Sequence, residues 1–441
     1  MNEIARCPKM SSGHACRHRF NFTYLRKFHA TGFIDLFKKQ TTEITHMVSG
    51  RNKEDTKNEG ALSGLKVIEV AAIGPVPFAG MVLADMGARV TRIDRIPLSA
   101  TDDTATAGFE NRGRLSIAID LKNPKGIETA LRLIDDADVL LEGFRPGVME
   151  KLGLGPAICC ARNPGLVYGR MTGWGQSGPL SRAAGHDINY IALTGALHAM
   201  GRSDCPPSPP LNLVGDYGGG AMMLLVGLLA ALQARHRSGQ GQVIDAAMTD
   251  GAAMLMTPFY SMLAQGAWRD SRHTNFLDGS AHFYGAYECA DGRFIAIGSI
   301  EPQFYRLLLD KCGVRMPEFD DQHNSSAWPT LRERLGEIFK TRSRAVWCEL
   351  MEGTDVCFSP VLSLREAPEH PHNIARQTFV NINDKMQPAP APRFDRTPSR
   401  ASADIPKVGA HTVALLAGLG MDQKSIDQLI MEHAVYVSGA D

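Results

Sequence analysis

LKVIEVAAIGPVPFAGMVLADMGARVTRIDR, residues Leu65 to Arg95, decides the fold. Leu65 to Val70 is a short apolar, β-branched run, Phe78 to Met86 repeats apolar residues at helical spacing, and Arg89 to Ile93 is a second strand ending in Asp94-Arg95. Strand, helix, strand at this spacing is a βαβ unit, whose two strands lie parallel. Further units follow: a helix from Gly126 to Asp136 with strand Val139 to Glu142, then strand Leu166 to Met171. The fold class is therefore α/β, with a large Rossmann-like parallel sheet.

An aspartate at the end of the second strand invites a dinucleotide reading. The loop after the first strand, Ile-Gly-Pro-Val-Pro-Phe-Ala-Gly (73–80), argues against it. Its two prolines remove N–H donors where a pyrophosphate needs them, and Gly-x-Gly-x-x-Gly is absent. NAD binding is rejected.

At 441 residues the chain is long enough for two domains. Lys plus Arg and Asp plus Glu each number 47, a balance that argues against a nucleic-acid partner. Nine scattered cysteines without a Cys-x-x-Cys pair suggest neither a disulfide framework nor a zinc site, so no metal is expected. The longest apolar run, Ala221 to Leu232, is interrupted by Gly227 and is too short to span a bilayer, so no membrane partner is expected.

Residues 1–60 read as a disordered or targeting extension: eight basic residues face three acids before residue 50. Residues 61–270 form the large domain. Past residue 270 the texture changes. Tyr284 to Cys289 and Arg293 to Ser299 flank Ala-Asp-Gly, a hairpin signal, and helices follow at 303–311, 330–339 and 343–351, which makes 271–367 a smaller α+β domain. Residues 368–406 hold seven of the 25 prolines and read as an extended linker. A helix pair in 407–441 is expected to return to the large domain.

Chemistry concentrates between Gly185 and Gly220. Thr172-Gly-Trp-Gly-Gln-Ser-Gly-Pro179 is a glycine-rich loop after a strand, the usual ligand position in an open α/β sheet. Asp216 has two readings. An aspartate ahead of a helix caps free N–H groups, whereas three glycines after it suggest an N-terminus bared for an anion or oxyanion. His186 is either a hydrogen-bonded core histidine or an acid/base group, and its neighbour Asp187 cannot share its face. Glu301 is either a first-turn acid or the partner that fixes a histidine tautomer. Arg95, Arg112, Arg114, Lys122, Lys125, Arg145 and Lys151 read as a solvated surface, from which a phosphorylated ligand would take a few. Met222, Met223, Met248, Met254, Met256 and Met262 are either core or a flexible surface for acyl chains.

The segments Met-Thr-Gly-Trp-Gly-Gln-Ser-Gly-Pro (171–179), Gly-His-Asp-Ile-Asn-Tyr (185–190), Asn-Leu-Val-Gly-Asp-Tyr-Gly-Gly-Gly (212–220), Glu-Gly-Phe-Arg-Pro-Gly (142–147) and Ile-Glu-Pro-Gln-Phe-Tyr (300–305) carry a resemblance. In matching order over roughly residues 61 to 400, the chain resembles the racemase branch of the family III (CaiB/BaiF-type) CoA-transferases. That resemblance implies interconversion of (2R)- and (2S)-2-methylacyl-CoA thioesters by two-base proton transfer through an enolate. It implies His186 and Asp216 as the bases and Glu301 as support for the histidine. It places Arg95, Lys122 and Arg145 near CoA, with Lys151 standing where a relative carries arginine, so that the charge is kept but not the bidentate fork. The bared helix N-terminus at Gly218 and Gly219 is expected to stabilise the enolate oxygen. Coenzyme A then enters only as part of the substrate, and no separate cofactor is implied. The resemblance also implies an interlocked homodimer with the site between one subunit's large domain and the other's small domain. The rival within the family is a CoA-transferase with Asp187 as nucleophile, so Asp187→Ala is expected to hurt mainly a transferase. The closing Val-Ser-Gly-Ala-Asp is not a peroxisomal Ser-Lys-Leu signal, and the expected location is cytoplasmic, with mitochondrial or peroxisomal the alternative for a eukaryotic source.

Overall fold

The computed structural model describes residues 60–97 and 108–438. The expectation for residues 1–60 thus lies outside the described residues, Gly60 apart. A seven-stranded sheet has the order β12-β3-β2-β1-β4-β5-β6. Its strands are β1 (Lys66–Val70), β2 (Arg89–Asp94), β3 (Arg114–Ile119), β4 (Val139–Glu142), β5 (Val167–Thr172), β6 (Val243–Ala247) and β12 (Val435–Tyr436). The first six are parallel, and β12 pairs antiparallel with β3 at Val435 and Ile119. In the 3-2-1-4-5-6 order the direction of winding reverses between β1 and β4, and a ligand crevice forms at the carboxyl ends of those strands.

β1 and β4 are buried along almost their whole length, as central strands covered on both faces must be. One apolar cluster, including Val70, Ile117, Leu140 and Ile426, fills one face. Another, including Val67, Leu83, Leu141 and Leu228, fills the other. The helix after β1, α1 (Pro75–Asp85), begins three residues earlier than the apolar period suggests. Pro75 stands at its first position, where a missing N–H costs nothing, and Gly74 before it has φ 78°.

Charge is buried beside these clusters. Glu69 of β1 and Arg114 of β3 are both fully buried, with Arg114 Nε 3.2 Å from Glu69 Oε2. Arg114 also donates to the Pro77, Glu110 and Arg112 carbonyls. Gly80 of α1 leaves the space the carboxylate fills, since a Cβ there would stand 2.1 Å from Glu69 Oε2. Arg112 forks onto both Asp85 oxygens and reaches Gln387 at 2.8 Å. Lys125 pairs with Glu432. Arg112 and Arg114 therefore bind the fold, and the reading of this basic group as surface holds for the others, Lys125 among them despite its pairing with Glu432.

A three-stranded antiparallel sheet, β7 (Tyr284–Glu288), β8 (Phe294–Gly298) and β9 (Phe358–Pro360), carries its own core with helices α5 (Pro302–Cys312), Trp328–Phe339 and Arg344–Met351. Within that core His282 Nε2 lies 2.7 Å from Tyr305 Oη, and burial pulls the histidine pKa down to about 4.

The expected extended linker is not extended. Pro371–Arg376 is helical, and β10 (Phe379–Ile382) pairs with β11 (Lys385–Pro388) around Asn383 and Asp384, both at positive φ. Two adjacent left-handed residues make the primed turn that suits a two-residue hairpin. The long apolar helix also differs from expectation. A π-helical segment, Leu213–Ala221, runs directly into α3 (Met222–Ser238). The joined helix spans 26 residues and contains an 18-residue window of mean hydropathy 1.6, so by length and composition it is apolar enough to cross a membrane. In the fold its Leu224 and Leu228 are buried against Gly169 of β5.

Candidate active site

Two chain segments separated by nearly thirty residues meet at the crevice, and one side chain joins them. Asp187 opens the short helix α2 (Asp187–Ala192), and its Oδ2 accepts the N–H groups of Gly215 at 2.6 Å and Asp216 at 2.8 Å. His186 caps that helix in an extended conformation, its N–H donating to Asn189 Oδ1 at 3.0 Å, and its ring is exposed. Tyr190 Oη donates to the Gly185 carbonyl, and the ring stands edge-on to Trp174 of the glycine-rich loop at 4.8 Å. The 185–190 turn is thereby fixed against the loop after β5.

Asp216 lies inside the π-helical segment rather than ahead of a helix. Its Oδ2 accepts from Asn212 Nδ2 at 3.0 Å. Gly74 also lies beside it, where a Cβ would stand 3.5 Å from the same oxygen. Burial pushes the Asp216 carboxyl above its usual range, the Asn212 hydrogen bond opposes that, the Asp187 charge adds to the rise, and the His186 charge works against it. His186 and Asp216 are thus near enough to act on one another electrostatically. Burial raises the Tyr190 phenol as well, with Asp216 adding and Arg145 opposing.

The triple glycine does not form the bared N-terminus expected of it. In a π-helix each N–H turns back to the carbonyl five residues earlier, so the Gly218 and Gly219 amides sit within the helix rather than facing a ligand. Their absent side chains serve packing against α4 (Met248–Leu255). A Cβ on Gly219 would stand 2.5 Å from Ala252 N, and one on Gly251 would stand 1.8 Å from the Gly219 carbonyl oxygen. A run of glycine marks close approach, but the sequence does not say of what.

Glu301 is not brought to His186 within the chain. It is exposed at the N-cap of α5, with Cys357 beside it. Gln322 fixes the turn before it by donating to the Ser299 and Ile300 carbonyls at 3.0 and 2.8 Å.

Arg95 and Lys122 line a cavity of about 590 Å3 at the carboxyl ends of β1, β2 and β3, with Ile96, Asp120, Phe144 and His433. Arg145 is exposed on the loop after β4. That loop is built from below: Glu142 accepts the Phe144 N–H at 2.7 Å and Arg170 Nε at 2.9 Å, and Arg170 also reaches Glu150. Lys151 ends the next short helix, exposed and outside the cavity lining. Of the methionines, Met248 and Met256 are buried, whereas Met222 and Met254 are exposed. Sequence reasoning passed over Gly74, Asn212 and Tyr190, although Asn212 and Tyr190 stand inside the quoted motifs.

Comparison with known proteins agrees with this architecture. Residues 62–412 match the model of CoA-transferase family III. Alpha-methylacyl-CoA racemase from Mus musculus is 46% identical over 376 residues, covering 85% of this chain and 97% of that protein. The protein of the same name from Homo sapiens is 44% identical over 371 residues, covering 84% and 96%. A crystal structure of a CAIB/BAIF family protein from Brucella suis superposes with a TM-score of 0.71 at 27% identity, covering 82% of this chain and all of that one.

Proposed function

The chain belongs to CoA-transferase family III, and from that premise we propose that it is a racemase acting on 2-methylacyl-CoA thioesters. The observation that carries the choice within the family is the state of the two aspartates. Asp187, the nucleophile a transferase would need, is buried with Oδ2 already held by two amides. Asp216 is only half-buried, its pKa is raised, and it stands within electrostatic reach of an exposed histidine. A carboxyl titrating nearer to neutrality beside an imidazole is what two-base proton transfer requires.

In this scheme neutral His186 takes the α-proton from one face of the thioester, leaving an enolate. Protonated Asp216 then returns a proton to the other face, and the reversed protonation serves the other enantiomer. The Gly218 and Gly219 amides are drawn into the π-helix, so the donor to the enolate oxygen lies elsewhere. Arg95 and Lys122 in the cavity would hold the phosphates of CoA, with Arg145 between that end and the reacting carbon. Exposed apolar residues beside the site, Ile188, Leu193, Leu213, Val226 and Met254, suit a second subunit, whose own Glu301 would then stand by His186.

Incubating one enantiomer of a 2-methylacyl-CoA in deuterated water tests the reading. Inversion with α-deuterium uptake is expected. Acid-dependent CoA exchange without deuterium uptake would instead assign a transferase, and neither outcome would leave an acyl-CoA carrier.

A further inference from the structure

The two-base scheme leaves one buried carboxylate without a task. Asp187 is 5% exposed. Its Oδ1 is buried without a partner, although Oδ2 has two. A buried carboxylate with an unmatched oxygen is costly, and a serine or asparagine would cap a backbone amide without bringing a charge. The amides it grips belong to Asp216 and to Gly215, where a Cβ would stand 2.5 Å from Asp187 Oδ2. Asn212 and Gly74 both lie against Asp216 Oδ2 and confine the carboxyl.

We propose that Asp187 is a positioning residue acting through Asp216: it fixes the Asp216 backbone by hydrogen bonds to two consecutive amides and sets its charge beside the Asp216 carboxyl. This rests on the reading of Asp216 as one of the two bases. It also replaces the expectation that Asp187 matters mainly to a transferase.

The surroundings leave that charge a clear effect. His186 and Tyr190 face Asp216 from the same turn as Asp187. α1 brings Phe78 against Tyr217, and its own acid, Asp85, is tied to Arg112. From β5, Arg170 is held by Glu142 and Glu150; from β6, Asp245 caps Gln176; and Asp250 of α4 is exposed. After burial, the Asp187 charge is what favours the protonated Asp216 carboxyl, against Asn212 and His186.

The test is the pH profile of α-deuterium uptake, with affinity measured separately for an unbranched acyl-CoA. Asp187→Asn keeps an accepting oxygen and removes the charge. With affinity retained, we expect kcat/KM to fall roughly tenfold and the acid limb of the profile to move to lower pH. Asp187→Glu keeps the charge but not the reach, so its rate should fall with the limb in place. An unmoved limb in Asp187→Asn overturns the role of the charge. A wild-type rate in Asp187→Glu overturns the positioning role and decides the matter if the asparagine variant does not fold. Exchange that survives in Asp216→Ala removes Asp216 as a base, and the two-base reading falls together with this one. Loss in Asp216→Ala with unchanged Asp187 variants overturns this inference alone.

Discussion

Arg114 and Arg145 carry the same guanidinium and have opposite fates. Arg114 is fully buried, forked between Glu69 and three carbonyls under the sheet. Arg145 is exposed on a loop at the carboxyl ends of the strands. The two acids at the crevice repeat the contrast only in part: Asp187 is buried and holds two backbone amides through Oδ2, yet its Oδ1 is unpaired, while Asp216 is half open. A polar group whose hydrogen bonds are satisfied inside the chain belongs to the fold. One presented at the crevice is available to a ligand.

The strongest way to break this distinction is to remove the presented groups. His186→Ala and Asp216→Ala should each lower racemisation by about 10^4-fold while leaving the denaturation midpoint nearly in place; loss of activity through unfolding would erase the contrast. Next comes a satisfied group. Arg114→Met leaves Glu69 buried and uncompensated, which should cost about 3–5 kcal/mol of stability, read by denaturant titration, with kcat/KM of the folded fraction little changed.

His282 sharpens the comparison through pH. Its folded pKa of about 4 lies below the ordinary histidine value of 6.5. Between those values the unfolded chain binds a proton that the folded chain does not, so stability falls as pH drops from 6.5 towards 4. The total is about 3 kcal/mol; His282→Phe should flatten that part of the stability profile. The smallest effect belongs to Arg145→Ala, which should raise KM for acyl-CoA about tenfold with kcat and melting temperature held. A fall in melting temperature would move Arg145 to the structural side.

Much of this was legible in the sequence. The strands β1, β2, β4 and β5 follow from apolar runs separated by helical periods, whereas β3, Arg114–Ile119, was not read; the hairpin of β7 and β8 follows from Ala-Asp-Gly between two alternating runs. The pairing of residues 186–187 with 215–216 came only through motif resemblance, because no local period links segments so far apart. What stayed hidden depends on contacts between distant residues. Glu69 in a central strand makes sense only beside Arg114 and under Gly80. The triple glycine favours close approach equally for a ligand or a helix, and only the position of Gly251 decides between them. Asn383-Asp384 carried a turn signal that the surrounding prolines masked.

The antiparallel β12 has a consequence for how the protein is made. Its partner, β3, emerges from the ribosome early, yet Val435 and Tyr436 that cover its outer edge are among the last described residues to be translated. Until residues 404–412 and β12 follow, the outer edge of β3 offers its backbone donors and acceptors to any passing strand. An incompletely translated chain therefore exposes a strand edge that can pair wrongly until the segment around Val435 closes it.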